Sequence, residues 1–228
     1  MTKIKIVKPY FVFEDQINGV KVLKNIEKYG RVSHKSEKNI GKDTYKNFIK
    51  KLLDWGHESV FEHEKVTVRI ICDRGITHEL VRHRIAAYTQ ESTRYCNYSG
   101  EIQFIQPLFF KKNSLAYKIW LSSCKTAATN YTKLIKMGIT PEEARSILPN
   151  SLKTEIIVTY NLRQWRHVFE MRCQKAAHPQ MREIMIPLLK EFQKKIPFLF
   201  DDFIIKKDNS LSYPFYAFKD IEYFKNKK

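Results

Sequence analysis

Residues 114–137 carry the longest helical pattern in the chain, with Leu115, Ile119, Leu121, Ala128, Tyr131 and Leu134 placed to form a broad apolar stripe. Gly138 is positioned to end that helix, because glycine adopts the left-handed conformation of a helix C-terminus without steric cost. Thr140-Pro141-Glu142-Glu143 starts the next one. Thr140 caps, Pro141 sits in the first turn where its missing N–H is no loss, and Glu143 can return a hydrogen bond to the cap. This places Arg145 about one turn inside a short helix.

Strand patterns flank these helices. Residues 3–7 and 65–72 alternate or run β-branched and apolar, with Thr67, Arg69 and Ile71 on one face of the second strand and Val66, Val68 and Ile70 on the other. Residues 43–55 and 76–83 have helical spacing, the latter opening just after Gly75. A strand follows at 152–160, then helices at 162–173 and 179–195, the last kinked or divided by Pro187. The expected class is α+β: a mixed β-sheet covered by helices, one of them long and central. No repeat, low-complexity tract or linker interrupts residues 1–228, so one domain is expected. The Phe- and Tyr-rich tail from Phe198 is expected to cover a core or a neighbouring subunit.

Lys and Arg number 41 against 24 Asp and Glu, a net charge of +17. Anionic partners fit this excess, whether nucleic acid, nucleotides or folate-like carboxylates, and so does a lysine-decorated solvated surface. The sequence contains no apolar run of bilayer length and no signal-peptide pattern at Met1-Thr2-Lys3-Ile4-Lys5-Ile6, which implies a cytoplasmic protein. Cys72, Cys96, Cys124 and Cys173 form neither Cys-x-x-Cys nor zinc-ligand spacing and read as reduced, mostly packed thiols. Cys96 stands apart because it directly follows an arginine-rich run.

That run is Arg82-His83-Arg84-Ile85-Ala86-Ala87-Tyr88-Thr89-Gln90-Glu91-Ser92-Thr93-Arg94-Tyr95. The chain has only eleven arginines against thirty lysines, yet three lie here and three more, Arg163, Arg166 and Arg172, lie within ten residues. A guanidinium grips phosphate or carboxylate through a planar fork, whereas lysine acts as a point charge. Neither Gly-x-Gly-x-x-Gly nor Gly-x-x-x-x-Gly-Lys occurs, so any nucleotide phosphate must be held by side chains. Charge-assisted hydrogen bonds contribute about 1.5 to 3 kcal/mol each, so two or three arginines suffice.

Arg82-His83-Arg84, then seven residues, then Ser92, continuing as Thr93-Arg94-Tyr95, resembles the signature of the flavin-dependent thymidylate synthases. The likeness extends to the block running from His57-Glu58-Ser59 through Glu62-His63, to Ala144-Arg145-Ser146-Ile147-Leu148-Pro149, and to Asn161-Leu162-Arg163, Met171-Arg172 and His178-Pro179-Gln180. The resemblance covers roughly residues 50 to 190, with the blocks in the family's order. The resemblance implies a homotetramer with active sites at subunit interfaces. FAD would be the cofactor, NADPH the reductant and 5,10-methylenetetrahydrofolate the carbon donor in converting dUMP to dTMP. It places His57, Ser59, Arg82, His83, Arg84, Gln90, Asn161, Arg163 and His167 near FAD, with His178 a further candidate. It places Glu79, Leu80, Val81, Arg82, Gln90, Glu91, Ser92, Thr93, Arg94, Arg145 and Arg172 around dUMP. Arg172 takes the catalytic position against the uracil ring, stabilising negative charge at N3 and O4. Such chemistry depends on aligning two rings and requires no cysteine nucleophile.

Gln90 and Glu79 stand where the family often has Glu and Gln. Gln90 keeps hydrogen bonds without the charge, and Glu79 beside an anion needs a neighbouring arginine. His57 and His63 flank Glu58 and Glu62, a pattern metal sites also use, but no further ligand cluster accompanies it and no metal is expected. Tyr88, Trp165 and Phe169 are expected in the core rather than as stacking platforms. A nucleic-acid-binding protein using the same arginines and aromatics is the alternative reading, although no RNP, KH or zinc-finger pattern supports it.

Overall fold

The computed structural model describes residues 2–209 and 211–212. Its strands are β1 (Lys3–Val7), β2 (Tyr10–Phe13), β3 (Lys65–Asp73), β4 (Ala87–Gln90), β5 (Glu101–Ile105), β6 (Lys153–Asn161), β7 (Ile204–Ile205) and β8 (Leu211–Ser212). Its α-helices are α1 (Gly19–Val32), α2 (Thr44–Asp54), α3 (Arg74–Leu80), α4 (Leu115–Lys136), α5 (Pro141–Ala144), α6 (Leu162–Arg172) and α7 (Pro179–Lys195). Short 3₁₀ turns occupy Glu37–Asn39, Glu58–His63 and Arg145–Ile147. The α+β class is as expected, with the strands distributed over a parallel β1-β5 pair, a sheet ordered β2-β3-β6-β4 and an antiparallel β7-β8 pair.

The chain divides into two compact units. The first comprises the described residues up to Val12 together with Val68–Val158, and the second comprises Phe13–Thr67 and the described residues from Thr159 onward.

In the first unit, β1 runs in register with β5 from Lys3 opposite Glu101 to Val7 opposite Ile105. Ile102, Phe104, Cys124, Ala128, Tyr131, Ala144 and Leu152 form a buried cluster, with Ile4, Ile6, Trp120 and Leu148 packed on it. The long helix is capped as its sequence implies: Ser114 Oγ accepts from the Tyr117 amide at 3.2 Å, and Gly138 closes it at φ +87°. Its buried face differs from the expected stripe. Leu115 and Ile119 are 74% and 59% exposed, whereas Tyr117, Cys124, Ala128 and Tyr131 are buried. At about 100° per residue, Leu115 lies opposite Cys124, so the six apolar positions never shared one face.

Three helix boundaries also shift. α3 opens at Arg74 rather than after Gly75, because Asp73 Oδ1 caps the Ile76 amide at 3.0 Å, and it ends at Leu80, leaving His83 outside. A Cβ at position 75 would stand 3.0 Å from that same Asp73 oxygen, so glycine suits this first turn. α5 closes at Ala144, so Arg145 caps it and begins a 3₁₀ turn instead of lying inside a helix. α7 runs through Pro187 as one helix.

The second unit is built on an aromatic core. Trp165 stacks on Phe169 with ring centroids 5.4 Å apart, Phe192 and Phe200 meet Phe169 edge-on, and the Trp165 indole N–H donates to the Val66 carbonyl at 3.0 Å. Trp165 and Phe169 are thus core, as expected. Leu199, Phe200 and Phe203 of the aromatic tail are buried here too, whereas Tyr213, Phe215, Tyr216, Phe218, Tyr223 and Phe224 lie outside the described residues.

Candidate active site

In the first unit, the arginine-rich run leaves α3, passes through an irregular segment and enters β4. Leu80 is fully buried, so its side chain belongs to the core, and Val81 caps α3. The Tyr88 hydroxyl lies 2.7 Å from the carbonyls of both Leu80 and His83, which folds the segment between them back onto the helix end. Glu79 is partly buried on α3, His83 is buried, and Arg82 and Arg84 project outward.

These two arginines differ from the others. Arg31, Arg69, Arg94, Arg163 and Arg166 each hold a carboxylate, and Arg74, Arg145 and Arg182 hold carbonyl or hydroxyl oxygens. Among the described residues, neither the Arg82 nor the Arg84 guanidinium has a partner.

Gln90 is fixed internally, its side-chain amide donating to the hydroxyls of Thr77 at 3.0 Å and Thr154 at 3.2 Å. Glu91 is the centre of a polar network: Lys153 Nζ lies 3.2 Å from one carboxylate oxygen and the Tyr98 hydroxyl donates to the other at 2.7 Å. Lys153 also meets Glu155 at 2.5 Å, and Arg69 reaches Glu155 at 3.2 Å. Burial pulls the Lys153 pKa down, but the hydrogen bonds and charges of Glu155 and Glu91 outweigh it and leave it above its ordinary value. The hydrogen bond from Lys153 draws Glu155 below the usual carboxylate range, while burial and the bond to Glu91 push the Tyr98 phenol up.

Ser92, Thr93 and Arg94 form a tight turn after β4, in which Ser92 Oγ accepts from the Arg94 amide at 3.2 Å and the Ser92 carbonyl accepts from the Cys96 amide at 3.0 Å. Arg145 reaches into this turn and Arg94 reaches out of it. Arg145 donates to the Thr93 hydroxyl at 3.1 Å and to the Glu142 carbonyl at 3.2 Å, and Arg94 Nε donates to the Glu142 carboxylate at 2.8 Å. The short α5 therefore supplies the counter-ion of Arg94 and, at its C-cap, Arg145. Ser92, Thr93 and Arg94 of one block are brought together with Arg145 of another; the unpredicted supports are Glu142 for the two arginines, Lys153 and Tyr98 for Glu91, and Thr77 and Thr154 for Gln90.

In the second unit, Asn161 caps α6, its side-chain oxygen accepting from the Gln164 amide at 2.8 Å. Arg163 and His167 lie exposed on that helix, and Arg172 is half-buried in its last turn. The Glu58–His63 turn packs against α6 through Arg163, which meets Glu62 at 2.5 Å, and through Arg166, which meets Glu58 at 3.2 Å. Both carboxylates that might have suggested a metal are thus engaged by arginine. Ser59 and His57 are exposed, the His57 ring lying 5.7 Å from that of Trp55. His178 caps α7, with Nδ1 accepting from the Gln180 amide at 3.3 Å. Burial raises the Glu170 carboxyl, an effect partly offset by His167 one turn away. A cleft of about 940 Å³ between the start of α1 and the end of α7 contains none of these residues.

No helix among the described residues is long and apolar enough to cross a membrane. Flavin-dependent thymidylate synthases of known identity align with most of the chain. The protein from Pyrococcus furiosus is 37% identical over 174 residues, covering 75% of this chain and 71% of its own. That from Pyrococcus abyssi is 38% identical, covering 72% and 68%, and that from Geobacter sulfurreducens 34%, covering 68% of each. The sequence profile of the thymidylate synthase complementing proteins matches residues 20–198, a span that takes in every block of the signature. The chain belongs to the thymidylate synthase complementing protein family.

Proposed function

We propose that this chain methylates dUMP to dTMP as an FAD-dependent enzyme, with 5,10-methylenetetrahydrofolate as carbon donor and NADPH as reductant. The observation that carries the reading is the pair Arg82 and Arg84: within the family-matched region, they alone among the arginines of the signature present exposed guanidiniums with no partner among the described residues. Two adjacent uncompensated cations suit a multiply charged phosphate ligand.

The residues fit FAD and dUMP chemically. In the first unit, Arg82, Arg84, His83 and Gln90 would hold FAD, with the Thr77 and Thr154 hydroxyls fixing the Gln90 amide. Ser92 and Arg94 would meet the dUMP phosphate together with Arg145, which Thr93 already orients. Glu79, Leu80, Val81 and Glu91 would frame the nucleotide, Leu80 through its backbone. In the second unit, Ser59, Arg163, His167 and His57 offer exposed donors for FAD, Asn161 retains its NH₂ group for donation, and Arg172 would stabilise negative charge on the uracil ring. When bound, FAD carries the reducing equivalents of NADPH to the one-carbon unit. The protein's part is to bind, align and neutralise charge. No thiol nucleophile is required, and burial raises Cys124 to about 11 and Cys173 to about 12, with Cys72 higher still.

The same proposal includes a single catalytic domain, assembly as a homotetramer, which light scattering measures directly, and a cytoplasmic location. Its decisive test is tritium release from 5-tritiated dUMP in the presence of FAD, NADPH and methylenetetrahydrofolate. Release is expected from the native protein and is abolished in Arg172→Ala with FAD still bound. A colourless protein that ignores FAD and releases no tritium would refute the reading.

A further inference from the structure

Arg166 was conspicuous in the sequence only as one of three arginines close together, but it faces inward. Its side chain is 1% exposed. Nε donates to Glu58 at 3.2 Å, one terminal nitrogen donates to Asp202 at 2.9 Å and to the Leu199 carbonyl, and the other donates to the second Asp202 oxygen at 2.6 Å. The Phe203 ring lies 5.0 Å from the guanidinium carbon. All three nitrogens are thus committed, and a buried cation is matched by two carboxylates as its desolvation demands.

The two carboxylates lie on different parts of the second unit. Glu58 opens the turn that carries Ser59, and Asp202 belongs to the segment 199–203, immediately beyond the family-matched residues. That segment is anchored independently, since Gln193 of α7 donates to the Phe200 and Phe203 carbonyls at 3.1 and 2.8 Å and Asp201 accepts from the Phe198 amide at 2.8 Å. The other end of the Glu58–His63 turn carries the Arg163–Glu62 pair, whose side chains are about half exposed, the buried Phe61, and His63, whose ring lies 5.2 Å from that of Tyr29.

We infer that Asp202 and Arg166 are positioning residues for FAD binding, through which the segment after residue 198 sets the Glu58–His63 turn and hence the placement of Ser59 and His57. This rests on the reading that Ser59 and His57 meet FAD. Asp202 fixes the guanidinium plane bidentately, and that plane fixes Glu58. Loss of the fork leaves the fold's aromatic packing in place and lets the turn rotate.

The test is fluorescence titration of FAD onto the apoprotein, alongside its thermal midpoint. Asp202→Asn is expected to weaken FAD about tenfold, the lower end of the loss that follows removal of a partner orienting a metal ligand. Phe200→Leu, which trims the same core without touching Arg166, is expected to lower the midpoint at least as much and leave FAD affinity unchanged. Should Asp202→Asn not fold, Glu58→Gln probes the same link from its more exposed end with the same expectation. Unchanged FAD affinity, or equal losses in Phe200→Leu, would overturn the inference. Ser59→Ala separates the two ideas. If it weakens FAD while Asp202→Asn does not, the link through Arg166 fails alone; if neither affects FAD, the assignment of the turn fails with it.

Discussion

Glu142 holds two of the proposed phosphate-binding arginines by two different groups, and that makes its role separable. Its carboxylate accepts from Arg94 at 2.8 Å, whereas its backbone carbonyl accepts from Arg145 at 3.2 Å. Glu142→Gln removes the charge and leaves the carbonyl, so Arg145 keeps its orientation while Arg94 is released. If Arg94 must leave Glu142 to meet phosphate, the substitution should tighten dUMP binding by the free energy of that ion pair. Both side chains are 50% exposed, so the pair contributes about 0.2 to 1 kcal/mol, a roughly 1.4- to 5-fold decrease in the dissociation constant. Calorimetry with dUMP measures the change, and deoxyuridine, which lacks the phosphate, should bind native protein and variant equally. The gain should shrink at high ionic strength, where the native pair is already screened. Unchanged or weaker dUMP binding would refute the counter-ion argument, and an equal gain for deoxyuridine would show that Glu142 acts on something other than phosphate.

Lys153→Met should flatten the acid side of the stability profile. Glu155 has a depressed pKa, so its pairing stabilises fully above the ordinary carboxylate value of 4.5 and is lost as pH falls through the lowered value; Lys153, raised above 10.5, contributes below that pH and loses its effect above it. Melting temperatures between pH 7 and pH 3 should therefore fall less steeply in the variant, and parallel curves would contradict the assignment. Thiol labelling of the native protein should modify Cys96 rapidly and Cys72, Cys124 and Cys173 only on unfolding, because burial holds those three protonated. Rapid labelling of a second cysteine in folded protein would show that one of these sites opens.

What the sequence revealed depended on how local the cause was. The 114–137 helix, its Gly138 end and the Thr140-Pro141 restart are written within a few residues of where they act, as is the alternation of β3, and these elements form accordingly. β4 is four residues inside a polar run, too short for a period to emerge, and the start of α3 was obscured because Asp73 ends a strand and caps a helix at once. The same limit governs the site. Arginine clusters identify where charge is concentrated, but the roles of Arg94, Arg163 and Arg166 are set by carboxylates far away in sequence. Glu142 is 48 residues from Arg94, Glu62 is 101 from Arg163, and Glu58 is 108 from Arg166. Arg163 and Arg166 show the consequence most directly. They are three residues apart on one helix and equally prominent as sequence, yet Arg163 is 51% exposed at the surface while Arg166 is buried as an internal link. Family resemblance named Arg163 and passed over Arg166. Packing explains the difference, because the face of α6 that buries Trp165 and Phe169 carries Arg166 inward with them, where only a charge already matched by Glu58 and Asp202 could be tolerated.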